Sequence, residues 1–242
     1  MTDAHRDLPW RQGLHGALLL LALPLACGTP DRSTPADPAA PARYAAPFVS
    51  EAPVLDGRLD DPAWQRAPWT TPFVDIEGPS RPQPRHGTRM KILWDAQTLY
   101  VGAWLDEPHV LGRFTEHDSI LYRENDFEIF VDPEGDELWY GEVEVNALGT
   151  LFDLMLDKPY NRGGRALIQQ WTPPGLAAAV HVEGTLNDPS DLDHGWGVEI
   201  ALPFESLAEH AGVAIPPEPG DVWRFNASRV QWRYDVLDGE YV

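Results

Sequence analysis

A succession of short β-branched and aromatic runs, each closed by Gly, Pro, Asn or Asp, dominates the chain from Met90 onward. Residues 90–94 and 99–105 flank Asp95-Ala96-Gln97-Thr98, which has the length and polarity of a hairpin turn. Residues 127–131, 138–145, 151–156, 178–182, 196–202 and 222–231 repeat the pattern at short intervals. Runs this short, with this punctuation, predict an all-β fold: a two-sheet antiparallel β-sandwich of jelly-roll or immunoglobulin-like kind. Helical signals are confined to single turns, one at 61–65 capped by Asp60 or Asp61 and one at 204–210 after Pro203.

Alternation along the runs decides which side chains share a face. Gly141, Val143 and Val145 fall on one side of their strand, and Tyr140, Glu142, Glu144 and Asn146 on the other. The first side is expected to be core and the second wet and acidic. Phe127, Ile129 and Val131 oppose Glu128 and Asp132 in the same way, and Phe152, Leu154 and Leu156 oppose Asp153 and Asp157.

The start of the chain has a different character. Arg6 and Arg11 precede an apolar run at 17–23, too short to span a bilayer as a mature helix but the length of a signal-peptide core. The run leads to Leu25-Ala26-Cys27, a small residue followed by the sole cysteine, as at a bacterial lipoprotein cleavage site. Ordinary signal-peptidase cleavage would instead leave an unpaired thiol in an oxidising compartment. Residues 1–27 are therefore expected to be a lipoprotein-type signal peptide with Cys27 lipidated. Such an anchor holds a protein at the outer membrane, facing periplasm or cell surface, without a transmembrane helix. Residues 28–45, rich in Pro and Ala and lacking apolar periodicity, form a tether. Residues 46–242 are one domain's worth of chain. A net charge of -20 repels phosphate backbones and anionic lipid, which excludes nucleic acid and leaves the lipid anchor as the membrane contact.

Aromatic residues supply the chemical hint. Sugar rings stack their C–H faces on indoles, while their hydroxyls take carboxylates, amides and guanidinium groups. Trp94, Trp104 and Trp196 share strand faces with apolar neighbours and are expected in the core. Trp139, beside Gly135-Asp136-Glu137, and Trp171, before Thr172-Pro173-Pro174-Gly175, adjoin loops and are candidate stacking platforms. Glu128, Glu144, Asn146 and Arg229 are the polar candidates, with pairing between Arg229 and Glu199 as the structural alternative.

Six phrases follow one another in a fixed order: VLDGRLDDPAW at 54–64, LYVGAWLDEP at 99–108, NDFEIFVDP at 125–133, EVEVNALGTLFD at 142–153, GWGVEIALPF at 195–204 and WRFNASRVQW at 223–232. The set resembles the family 9 carbohydrate-binding modules and their stand-alone bacterial relatives, over residues 46–242. The resemblance implies a non-catalytic sandwich that holds xylan- or glucan-class polysaccharide or oligosaccharide in carbohydrate catabolism, beside glycoside hydrolases. It also implies two facing tryptophans with Glu, Arg, Asn and Gln around the sugar, and puts the strand of Arg229 in or beside that face. Relatives continue through a Trp-rich segment and a closing strand, so 46–242 is expected to lack its last strand.

Other chemistries compete for the same residues. A glycoside hydrolase would draw on Glu142 with Glu144, or on Glu128 opposite them, yet no nucleophile elbow, phosphate loop or metal-ligand cluster accompanies them, and no catalytic residue is expected. A haem-binding cytochrome domain of related fold would use Met155 with His181 or Lys158. No cofactor is expected beyond structural calcium, for which the loops at 187–193 and 132–136 offer oxygens that Asx turns explain equally well. His86, His109, His117, His181, His194 and His210 lack zinc-ligand spacing.

Overall fold

The hairpin turn predicted at Asp95 forms for a local reason. Asp95 Oδ1 accepts from Gln97 N at 2.7 Å and Thr98 N at 2.8 Å, and Tyr100 OH donates to Oδ2 at 2.8 Å. This turn joins β1 (Thr88–Trp94) to β2 (Thr98–Asp106). The computed structural model describes residues 41–78, 80–168 and 171–242, and Arg43–Val242 form one compact unit. The segment expected to be a signal peptide, with Cys27, and the expected tether up to residue 40 lie outside the described residues. Among the described residues no helix is long and apolar enough to cross a membrane.

The later strands are β3 (Asp126–Asp132), β4 (Tyr140–Asn146), β5 (Leu151–Leu156), β6 (Ala166–Ile168), β7 (Ala177–Glu183), β8 (Gly195–Pro203) and β9 (Arg224–Val230), followed by the short pair β10 (Val236–Leu237) and β11 (Glu240–Tyr241). They form an antiparallel four-stranded sheet, β1-β2-β8-β7, and an antiparallel five-stranded sheet, β6-β5-β4-β3-β9. Every predicted run becomes a strand. β6, β10 and β11 are too short to show alternation. Leu138 and Trp139 drop out of β4 because Glu137 and Trp139 have φ of 67° and 50°, which a strand excludes. The turn near residue 61 is a 3-10 turn, Trp64–Arg66, without a side-chain cap; Asp61 instead accepts from Val54 N through its carboxylate. The second is the 3-10 turn Phe204–Leu207.

The inner faces meet in one core, where Val101, Leu105, Val198 and Ile200 pack with Phe127, Ile129, Val143 and Val145. Trp196 belongs to it, but Trp104 lies on the outer face, in register with Gly197, where it helps line a cleft with Arg89 and Asp106. β5 reverses the expectation from its sequence. Met155 faces the core, whereas Phe152, Leu154 and Leu156 lie on the outer face beneath Leu121, Ile120 and Phe114. The segment before β3 thus roofs this end of the sheet, so both faces of β5 are dry.

The phrase at 54–64 straps the outer face of the four-stranded sheet. Glu199 of β8, fully buried, accepts from Asp56 N at 2.7 Å, from Gly57 N at 2.6 Å and from Trp64 Nε1. Gly57 is required there, since its φ is 81° and a Cβ would lie 2.3 Å from His181 N.

Candidate functional site

Register places Asp126, Glu128 and Phe130 of β3, Tyr140, Glu142, Glu144 and Asn146 of β4, and Asn226 and Ser228 of β9 on the outer face of the five-stranded sheet. Alternation thus grouped Glu128, Glu144 and Asn146 correctly. Their expected exposure is overturned: Glu128 is 9% exposed, Glu144 1% and Asn146 0%. The cause is the segment at 114–125. Asn146 Nδ2 donates to Phe114 O at 2.8 Å and Glu124 Oε1 at 2.7 Å, and its Oδ1 accepts from Leu148 N and Thr150 N. The nitrogen of this amide is committed to the covering segment and its oxygen to the turn between β4 and β5.

The buried carboxylates crowd one another, with one oxygen each of Asp126, Glu128 and Glu144 lying within 4.8 Å of the others. Burial, reinforced by the charges of Asp126, Glu128 and Glu142, pushes Glu144 up to about 10, so it carries a proton at neutral pH. Glu142 is pushed up to about 7 by burial, against the pull of the Tyr160 hydroxyl, which donates to its Oε2 at 2.9 Å. Burial also raises Glu128, opposed by the hydroxyl of Ser228, and raises Asp126 with help from the charge of Glu128.

Exposed Asn226 and Tyr160 and half-buried Ser228 border the buried Glu128 and Glu142 on this face and form a strip with them. Glu128, Glu142, Ser228, the Tyr160 hydroxyl and exposed Asn226 offer donors and acceptors, and the rings of Phe130 and Tyr140 lie 6.5 Å apart beside them. Such a surface suits a ligand that has both hydroxyls and C–H faces.

Residues 55–155 match the family model described as carbohydrate family 9 binding domain-like. Over that stretch the chain resembles the family 9 binding domains. A structure from Bacteroides uniformis named for carbohydrate binding shares 15% identity over 77% of this chain and 82% of its own, with a TM-score of 0.54, a likeness of fold. A family 9 module from Caldicellulosiruptor kristjanssonii in complex with cellotriose shares 17% identity over 77% and 75% of the two chains, with a TM-score of 0.49. In complex with glucose, a family 9 module from the same organism gives 19%, 74% and 75%, with a TM-score of 0.45. No curated protein matches the chain.

Not every predicted site residue reaches the strip. Arg229 is in register with Phe127 and so lies on the opposite, inner face. Its Nη2 is 2.5 Å from Glu107 Oε2, and its Nη1 donates to Asp106 O at 2.9 Å and Thr88 Oγ1 at 3.2 Å. Its partner is therefore Glu107, while Glu199 serves the strap. Trp171, 9% exposed, is core and not a platform: Nε1 donates to Ser206 O at 2.8 Å, and a Cβ on Gly141 would lie 2.5 Å from its ring. Trp139, 37% exposed, reaches solvent and stacks on His210 at 4.8 Å with 15° between the rings.

Sequence reasoning missed Asn226, Ser228, Phe130 and Tyr160. The first two were readable from alternation in the last phrase, whereas Tyr160 sits in a 3-10 turn, Tyr160–Arg162, that carries no pattern. Met155 and His181 are not brought together as a haem pair, because Met155 faces the core from β5 and His181 lies on the outer face of β7 beside Arg58. In the two Asp-rich loops the carboxylates accept backbone N–H groups: Asp132 from Gly135 and Glu137, Asp193 from Val110 and Thr185. Among the described residues two groups bring three possible cation ligands together, Asp126 with Glu128 and Glu144, and His117 with Asp118 and Asp153.

Proposed function

We propose that this protein binds carbohydrate without transforming it, on the strip formed by Glu128, Glu142, Asn226, Ser228 and Tyr160. The family match over residues 55–155 carries this reading, and the mixture of ring faces and hydrogen-bonding groups supports its location. Xylan- or glucan-class chains are the ligand class, and glycoside hydrolases the partners, in carbohydrate catabolism. Lipidation at Cys27 holds the domain at the outer membrane, facing the periplasm or the cell surface. The most perturbed carboxyls, Asp126 and Glu144, are sealed from any substrate at 0% and 1% exposure, which favours binding over hydrolysis.

The test uses the full-length protein on a polysaccharide panel of xylan, cellulose and mixed-linkage glucan. Calorimetric titration of the tightest of these should show Tyr160→Ala and Asn226→Ala weakened at least tenfold, about 1.4 kcal/mol, with the fold intact. Unchanged affinity in both moves the site elsewhere, and release of reducing ends makes the protein an enzyme. Fatty-acid labelling that persists in Cys27→Ala disproves the anchor.

A further inference from the structure

A second cluster lies at the edge of β5 that β6 leaves uncovered. β6 pairs with Leu154, Met155 and Leu156, and beyond that stretch Asp118 N donates to Leu151 O at 3.1 Å. This contact, with Asp118 in the left-handed region at φ 63°, brings His117 and Asp118 onto Asp153. His117 Nε2 lies 2.9 Å from Asp153 Oδ1 and 3.2 Å from Asp118 Oδ1. Neither approach lies along a ring N–H. Asp118 Oδ1 and both oxygens of Asp153 are buried without a hydrogen-bond partner. The Asp153 side chain is 1% exposed and that of His117 46%, so the cluster is closed on one side and open to water on the other.

Buried carboxylate oxygens require a partner, and one imidazole proton cannot serve three of them. A divalent cation among the three side chains would answer all of them, and two carboxylates match its charge. The imidazole nitrogen selects among cations: calcium and magnesium prefer all-oxygen sets, whereas zinc and its neighbours take mixed nitrogen and oxygen ligands. Three protein ligands with an open side match a zinc site completed by water. We propose that His117, Asp118 and Asp153 bind one zinc-class divalent ion. Asp153 is in register with Val143, on the opposite face of the sheet from Glu142 and Glu144, so this site is separate from the carbohydrate strip. Spacing in the sequence could not show it, because two of the ligands come from a loop and the third from a strand beyond β4.

Full-length protein stripped with chelator and titrated with zinc chloride by calorimetry should take up one equivalent. Cobalt(II) should give the visible absorption of a low-symmetry, four-coordinate site. Both signals should weaken at least tenfold in His117→Ala and in Asp153→Asn and stay unchanged in His194→Ala, whose ring is exposed elsewhere. His117→Ala removes a half-exposed ring and serves if Asp153→Asn fails to fold. The proposal is overturned if the folded parent shows no saturable zinc uptake, if folded His117→Ala binds as tightly as the parent, or if equimolar calcium displaces the zinc. Any of these leaves the cluster an ion pair only.

Discussion

Arg229 and Glu107 join the two sheets from within: Nη2 and Oε2 are 2.5 Å apart and each side chain is 5% exposed. Burial pulls the guanidinium down and pushes the carboxyl up, and each group's charge restrains the other's shift. Asn125 Nδ2 and Gln231 Nε2 also donate to the same Glu107 oxygen, at 2.9 and 3.1 Å.

Removing one partner leaves an uncompensated buried charge. Arg229→Met should cost about 3–5 kcal/mol in urea unfolding, and adding Glu107→Gln should recover part of that loss. No recovery in the double variant would show that the pair is not the source.

Glu144 and Glu142 link stability to pH. Their folded-state values, about 10 and about 7, stand above the ordinary 4.5, so the folded state holds their protons more tightly than the unfolded one. This contribution is complete below the ordinary value and is lost as pH rises, through about 7 for Glu142 and about 10 for Glu144. Glu144→Gln should therefore unfold at a temperature a few degrees above the parent at mildly alkaline pH, since ~1 kcal/mol shifts a domain of this size by about 2–4 °C. The advantage should shrink as pH falls. Thermal melts of both proteins across the range check it, and an advantage that grows on acidification contradicts it.

Glu199 holds the strap through three donors. Glu199→Ala leaves those donors without their acceptor and should cost about 3 kcal/mol or more. Hydrogen exchange should then quicken first at Asp56 and Gly57, before the strands open.

The two loop-flanking tryptophans should separate. Trp171→Ala opens a cavity in the core and should cost about 3–5 kcal/mol, whereas Trp139→Ala should cost less than about 1 kcal/mol. Glycan affinity that falls in folded Trp139→Ala would make this indole the stacking platform. Gly141→Ala should resemble Trp171→Ala in direction, losing about 1–3 kcal/mol through overpacking.

Period-two alternation set Glu128 and Glu144 each opposite the apolar side of its own strand, because successive side chains of a strand point to opposite faces. It could not say which face would meet water. The cover over Phe152 and Asn146 comes from Phe114, Ile120 and Leu121, in a stretch without periodicity. The face of Arg229 was legible, since Phe225 and Ala227 lie on the same side of the strand at intervals of two and pack on the core. Trp139 and Trp171 both adjoin loops, and their difference lies in tertiary contacts such as the approach of Trp171 to Gly141. The grouping of His117 with Asp153 depends on where β6 stops, which no local pattern records.

The strand order also dictates when this domain can fold. β2 lies between β1 and β8, and β3 between β4 and β9, so each sheet has a central strand whose second neighbour arrives late in the chain. Loop closure must come before the reward of pairing, which puts such topologies among the slow folders, on scales of about milliseconds to seconds. Until Gly195–Pro203 and Arg224–Val230 have been synthesised, the apolar strands β2 and β3 each present an open edge to any neighbouring chain. A factor that keeps the growing chain extended through that interval would protect its yield without touching the finished fold.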